Sequence, residues 1–278
     1  MQAIYSPIHS LHPFAGHPYK VQDNDEMNRL IESIQEQGVL TPLIVRPLED
    51  TVAEYEVISG HRRLRAAQKA GLKEVPAFVH AVDRDEAAIQ LVDSNLHREQ
   101  ILPSEKAFAY KMKLDAMNRQ GQRTFSQVGK RLNSYEEMAE QTGDSRNQIH
   151  RYIRLTHLLP GLLDLLDEGR IAFTVGVELS YLSNEEQRAV LEAIELYDCT
   201  PSYSQACRMH RESEAGGVLN RIEAILAEEK PNQREKVSFQ YEQLRRYFPS
   251  DYTPKQMTES ILQLLERERR RRLDRGAR

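Results

Sequence analysis

Two stretches of this 278-residue chain carry residue types at spacings suited to chemistry. In residues 57–79, VISGHRRLRAAQKAGLKEVPAFV, an apolar strand pattern ends on Gly60 and passes directly into a helical pattern beginning His61, Arg62, Arg63. Glycine permits a tight turn, the first N–H groups of a helix have no partner within it, and paired guanidiniums fork onto phosphate oxygens. The chemistry this suits is anion binding, although arginines at a helix start serve equally as partners of acidic neighbours. In residues 135–155, YEEMAEQTGDSRNQIHRYIRL, a small Ala139, a turn at Gly143 and a cap at Ser145 precede Ile149 and Ile153. With the isoleucines facing inward, about 100° per residue puts Asn147, Arg151 and Arg154 on the opposite side, flanked by Gln148 and His150, with Arg146 beside the cap. Side chains so placed reach base edges and phosphates from the second helix of a helix-turn-helix; a plain helical hairpin with a solvated face is the alternative.

The elements that must hold these residues alternate at first. Caps at residues 23–25 precede Met27, Leu30, Ile31 and Ile34 at helical spacing, and Gly38 stops that helix. Strands are expected at 43–45, 55–59 and 75–79, with a turn at 47–51 and a helix over 61–69 ended by Gly71. Beyond Asp83 only helical spacing persists: Ala87, Ala88, Leu91, Val92 and Leu96, then Ala107, Tyr110, Leu114 and Met117 after Pro103. Residues 120–134 are polar and carry glycine, and read as a loop or small insertion. Ser183 to Glu186 matches a capping box, residues 215–217 break two helices, and a last helix opens at Thr253 with Gln256 as reciprocal cap.

A chain of this length has room for two or three domains with cores of their own. No apolar run is long enough to cross a bilayer, and MQAIYSPIHSLHPF lacks the basic start and apolar stretch of a secretion signal, so a cytoplasmic location without a membrane partner is expected. Two cysteines, Cys199 and Cys207, without paired CxxC units argue against a disulfide framework or structural zinc, and neither His61 nor His97 has a second ligand at metal spacing. The net charge of -4 excludes general basic adhesion to nucleic acid, so such binding must come from local patches. Residues 119–157 hold seven Lys/Arg against four Asp/Glu, and residues 266–278 hold seven arginines against three acids. The second patch, with its run at 269–272, reads first as a solvated tail and second as a nonspecific DNA contact.

TPLIVRP, SGHRR and SNLHRE, in that order ahead of the helix-turn-helix, resemble the ParB family of partition proteins, over roughly residues 11–183. The resemblance implies an α+β ParB-like nucleotide-binding domain over residues 1–100. An all-α helix-turn-helix DNA-binding domain would span 101–183, and a helical C-terminal region, carrying dimerisation and the basic tail, 184–278. It implies a sequence-specific DNA-binding protein of chromosome, plasmid or mobile-element segregation, a homodimer on a parS-like site in double-stranded DNA, served by a ParA-type ATPase and gated by CTP with magnesium. Gly60, Arg62 and Arg63, with His61 between them, match the family's GxRR phosphate motif. Thr41 to Arg46 match a wall of its nucleotide pocket, and Asn95 and Arg98 match its ENxxR motif, whose Glu and Asn assist magnesium and triphosphate binding. Ser94 stands at the Glu position and offers no negative oxygen to a hard cation, while Asp93 is turned away by about 100° along a helix. Nucleotide binding is therefore expected, with weak CTP hydrolysis left open; Asn95 would serve equally as a helix-terminal cap. Leu219, Ile222, Ile225 and Leu226, then Ile261, Leu264 and Leu265, offer apolar faces to a partner chain or to each other. The competing functions are a transcription or replication regulator without nucleotide gating and a small-molecule kinase on the N-terminal fold.

Overall fold

The computed structural model describes residues 2–49, 51, 53–96, 98, 101–124 and 134–228, and near the end 247–249, 252, 253, 256, 257, 259–261 and 263–267. These belong to two units, Met1–Glu228 and Glu229–Arg278. The first opens with a five-stranded mixed sheet of β1 (Gln2–Pro7), β2 (Leu11–Pro13), β3 (Leu43–Pro47), β4 (Tyr55–Ser59) and β5 (Glu74–Val79), in the order β1-β5-β3-β4-β2. β5 runs antiparallel to β1 and parallel to β3, and β4 runs antiparallel to β3 and parallel to β2.

Strand β4 shows why the sheet is covered on both faces: Glu56, Val57 and Ile58 are all buried, where a half-exposed strand would alternate. Val57 packs with Leu43, Leu64 and Ala67 beneath α1 (Asp25–Gln37) and α2 (His61–Ala70). Ile58 packs with Phe14, Leu91 and Ala109 beneath α3 (Arg84–Asp93) and α4 (Pro103–Thr124). Asn24 caps α1 by accepting the Met27 N–H at 3.0 Å, and Asp83 caps α3 in the same way from Glu86 at 2.9 Å. Strands β1 and β2 carry no clear sequence signal, for a physical reason. Each lies at an edge of the sheet, Tyr5 is 72% exposed, and β2 is three residues long, so apolar alternation is weak.

Helices make up the rest of this unit: α5 (Ser134–Thr142), α6 (Arg146–Leu155), α7 (Pro160–Asp167), α8 (Phe173–Leu179), α9 (Asn184–Tyr197), α10 (Tyr203–Glu214) and α11 (Ile222–Ala227). One apolar core runs from Ala107 through Leu162, Leu179, Val190 and Met209 to Leu226, passing residue 183 without interruption. Ile222, Ile225 and Leu226 are buried in this core, while Leu219 is exposed. The capping box at Ser183 and Glu186 is present, and the break expected at residues 215–217 falls directly after α10. The loop expected from residue 120 is corrected, because α4 continues to Thr124. Gly121 costs such a helix about 1 kcal/mol relative to alanine, which does not end it. Residues 125–133 and 254, and the arginine run at 269–272, lie outside the described residues. In the second unit Thr253 and Gln256 cap each other's backbone as expected, Met257 is buried, and Leu264 and Leu265 are exposed. Among the described residues no helix is long and apolar enough to cross a membrane.

Candidate functional site

The corner between β4 and α2 is set by Gly60, at φ 104° and ψ 23°. A Cβ there would lie 3.1 Å from Leu43 Cγ and 3.1 Å from Arg63 Nη2, so a side chain is disfavoured by the backbone conformation and would require these neighbours to give way. Gly60 O accepts the Leu64 N–H at 2.9 Å as the first bond of α2, which leaves the N–H groups of the first turn without helical acceptors. Arg63 turns back beneath the corner, where its Nη1 donates to Pro42 O at 2.7 Å and to Thr41 O. Burial pulls its pKa below the usual arginine value. Arg62 points outward and pairs with Glu26 at 3.0 Å, the acidic partner that the residue types alone left open. Both members are exposed, and such a pair is worth at most about 1 kcal/mol, so an arriving anion can replace the carboxylate.

His61 is the first residue of α2, and its ring is 3.8 Å from that of His17, centroid to centroid, at 39°. Nε2 of His61 accepts the Phe14 N–H at 3.3 Å, which fixes its proton on Nδ1, and Nδ1 of His17 lies 2.8 Å from Tyr19 O. Burial, then the charges of His17 and Arg98, hold the His61 pKa down at about 3. Burial also lowers the pKa of His17, outweighing its backbone hydrogen bond. Both rings are therefore neutral at neutral pH. Arg98 is exposed, with its guanidinium 5.6 Å from the Tyr19 ring. The loop carrying Phe14, His17 and Tyr19 was not singled out in the sequence. Its only local signal is the cluster of ring-bearing residues around Gly16, which has φ 79°.

Arg46, expected to line the pocket wall, requires a correction of placement. Its Nε bonds Glu56 Oε2 at 2.8 Å across the β3–β4 ladder, and both side chains are about 5% exposed. Glu56 Oε1 then accepts the Ala15 N–H at 2.8 Å, so Arg46 acts through Glu56 to hold the His17 loop. Thr41 is exposed and meets the site through its backbone carbonyl. Asn95 is buried and takes the cap role: its Nδ2 donates to Leu91 O at 2.7 Å and to Ser94 Oγ at 3.2 Å. Ser94 Oγ also bonds Leu91 O, and Asp93 pairs with the fully buried Lys113. The end of α3 thus offers no unpaired carboxylate to magnesium. Among the described residues no group of three or more His, Cys, Asp or Glu side chains could hold a metal.

The second constellation lies on α5 and α6. Gly143 takes the left-handed turn at φ 75°, Ser145 caps α6 by accepting the Gln148 N–H at 3.2 Å, and Ile149 and Met138 are fully buried between the helices. Asp144 ties the turn to α4, accepting from Tyr110 Oη at 2.5 Å and pairing with Lys106 at 2.7 Å. Burial would raise its pKa, but the hydrogen bonds from Lys106 and Tyr110 overcome that and hold it below the usual value. Ser145, Arg146, Asn147 and His150 are exposed on one edge of α6, and Gln148 is half-buried. Arg151 lies 5.1 Å from the Phe173 ring centroid. Arg154, expected on the free face, is drawn onto the end of α8. There Nη2 donates to Ser180 O at 2.7 Å, and the guanidinium lies 4.1 Å from the Tyr181 centroid. The last turn of α8 brings carbonyls that lack helical donors.

A family model of the ParB N-terminal domain matches residues 2–96. A probable chromosome-partitioning protein ParB from Coxiella burnetii is 31% identical over 215 residues, which cover 77% of this chain and 68% of that protein. The chromosome-partitioning protein Spo0J of Thermus thermophilus is 36% identical over 166 residues, covering 59% of this chain and 55% of its own. The chain thus spans about two thirds and about half of these relatives. Among solved structures, the C-terminally truncated chromosome-partitioning protein ParB from Caulobacter crescentus, complexed with CTP-gamma-S, is similar at 27% identity and a TM-score of 0.33. The match covers 70% of this chain and 99% of that one.

Proposed function

Since this chain belongs to the ParB family of chromosome-partitioning proteins, we propose that it recognises a short duplex DNA site through α6, as a homodimer, and that CTP held at the Gly60 corner gates that binding. The observation that carries the reading is the joining of two constellations in one unit: a capped, glycine-turned α6 with Arg146, Asn147 and His150 exposed, and a Gly60 corner at the start of α2 with Arg63 tied beneath it, Arg62 turned outward and the charge of Arg98 felt by His61. Arg146 and Arg151 suit phosphates, Asn147 and Gln148 suit base edges, and the corner suits a triphosphate. Magnesium would be brought by the triphosphate oxygens, which favour a hard cation, and Asn95 is the residue that would help to hold it. A ParA-type ATPase partner and a nucleoid or plasmid location are proposed by analogy with the family.

Selection from random duplexes, followed by titration of the recovered sequence, tests the DNA reading. Recovery of one palindromic site supports it, and uniform binding of all duplexes overturns it. Crosslinking through engineered cysteines, with and without CTP and that duplex, tests the gating. A regulator without nucleotide control is the second reading, favoured by the Arg62–Glu26 pair and the tied-back Asn95. Crosslinking unaffected by CTP would select it.

A further inference from the structure

We propose that His17 and His61 form a proton-dependent part of the triphosphate grip, in which one imidazole takes up a proton as the nucleotide arrives and donates it to a phosphate oxygen as a hydrogen bond. This rests on the nucleotide-binding reading above. The two rings lie 3.8 Å apart, and His61 directly follows Gly60 at the start of α2. Each ring has one nitrogen committed to backbone, Nε2 of His61 to the Phe14 N–H and Nδ1 of His17 to Tyr19 O. That leaves Nδ1–H of His61 to donate to a ligand and the lone pair of His17 Nε2 to take up the proton.

Burial first, and then the charge of Arg98, keeps the pair neutral until an anion comes. Arg98 acts on both rings, and Tyr19 meets His17 edge-on at 5.6 Å. From α2, Arg62 is paired with Glu26 and Arg63 is tied to the carbonyls of Thr41 and Pro42. Among the described residues, the carboxylates of the surrounding elements are committed elsewhere. Glu56 of β4 serves Arg46 and the Ala15 N–H, Asp93 of α3 serves Lys113, and Glu105 of α4 accepts the Lys20 and Leu102 N–H groups. Lys20 itself is held by Asp164 and Asp167. Another positive charge is unfavourable among these arginines, and a multiply charged anion reverses the balance. A histidine pKa that is depressed in the free protein and raised in the complex means proton uptake on binding. Affinity then rises as pH falls through the window between the two values, by up to about tenfold per pH unit for one proton.

Titration calorimetry with CTP, on the full chain and in buffers of different ionisation enthalpy, counts the protons. His17→Asn keeps an amide donor for Tyr19 O, His61→Gln keeps an acceptor for the Phe14 N–H, and neither can be protonated. The terminal phosphate of CTP itself titrates near about pH 6, so the readout is the difference between wild type and variants. Wild type should take up more protons than the double variant and show the steeper loss of affinity from about pH 6 to about pH 8. Equal proton counts and equal slopes would overturn the inference. If the double variant does not fold, ring nitrogen chemical shifts of wild-type His17 and His61 decide: both rings remaining neutral at saturating CTP overturns it. Absence of CTP binding to wild type would instead overturn the nucleotide reading itself.

Discussion

Gly60→Ala concentrates two costs at one atom: a positive φ that side chains rarely adopt, and a Cβ 3.1 Å from Leu43 Cγ. Such substitutions cost about 1–3 kcal/mol, so a lower denaturation midpoint is expected, together with at least tenfold weaker CTP binding as α2 shifts from the corner. Retention of wild-type affinity would show that this turn does not hold the nucleotide. Ser94→Glu adds an unpaired carboxylate at the end of α3, where Asp93 is engaged by Lys113, and phosphate release measured with CTP and magnesium should rise above wild type. Robust release by wild type would mean that the carboxylate is dispensable. Both positions can be singled out from residue types alone because each proposal depends on one side chain's own chemistry. The roles of Arg46 and Arg154 cannot, because whether an arginine faces a ligand depends on which acceptor the fold brings first. Glu56 meets one and Ser180 O the other.

The helix-turn-helix was readable as an element because its determinants are local: a left-handed glycine, a cap and two apolar anchors within about four turns of helix. What fastens it to the rest was not readable, since Asp144 finds Tyr110 and Lys106 on a helix 34 and 38 residues away in sequence. This attachment is sensitive to acid. The Asp144 carboxyl is lowered in the folded state, so its contribution is present in full above its unfolded value near 3.8 and is lost as pH falls through the lower folded value. Asp144→Asn should therefore reduce stability at neutral pH by about 1–2 kcal/mol and flatten the acid limb of a stability curve below about pH 4. An acid limb unchanged by the substitution would assign the linkage elsewhere. Edge strands β1 and β2 escaped the sequence because pairing on one side demands little of their side chains.

Over the whole molecule the net charge of -4 opposes DNA except where basic residues cluster, so binding should weaken steeply with salt. Arg146→Ala, which removes an exposed cation, should lower the magnitude of the log K against log salt slope by about 1. Arg154→Ala should leave the slope nearly unchanged while lowering thermal stability, because it releases Ser180 O and Tyr181 at the α6–α8 contact. Equal slope changes in the two variants would show that Arg154 touches phosphate after all. The α+β start, the helical remainder, the Gly60 corner and the capped α6 were set by the sequence itself, through periodicity, caps and turn glycines acting over a few residues. Only the tertiary structure decided that Arg46 supports a loop, that Asn95 caps α3, and that His17 lies against His61. Those outcomes depend on which distant groups share burial and unpaired hydrogen bonds, and no local pattern encodes that.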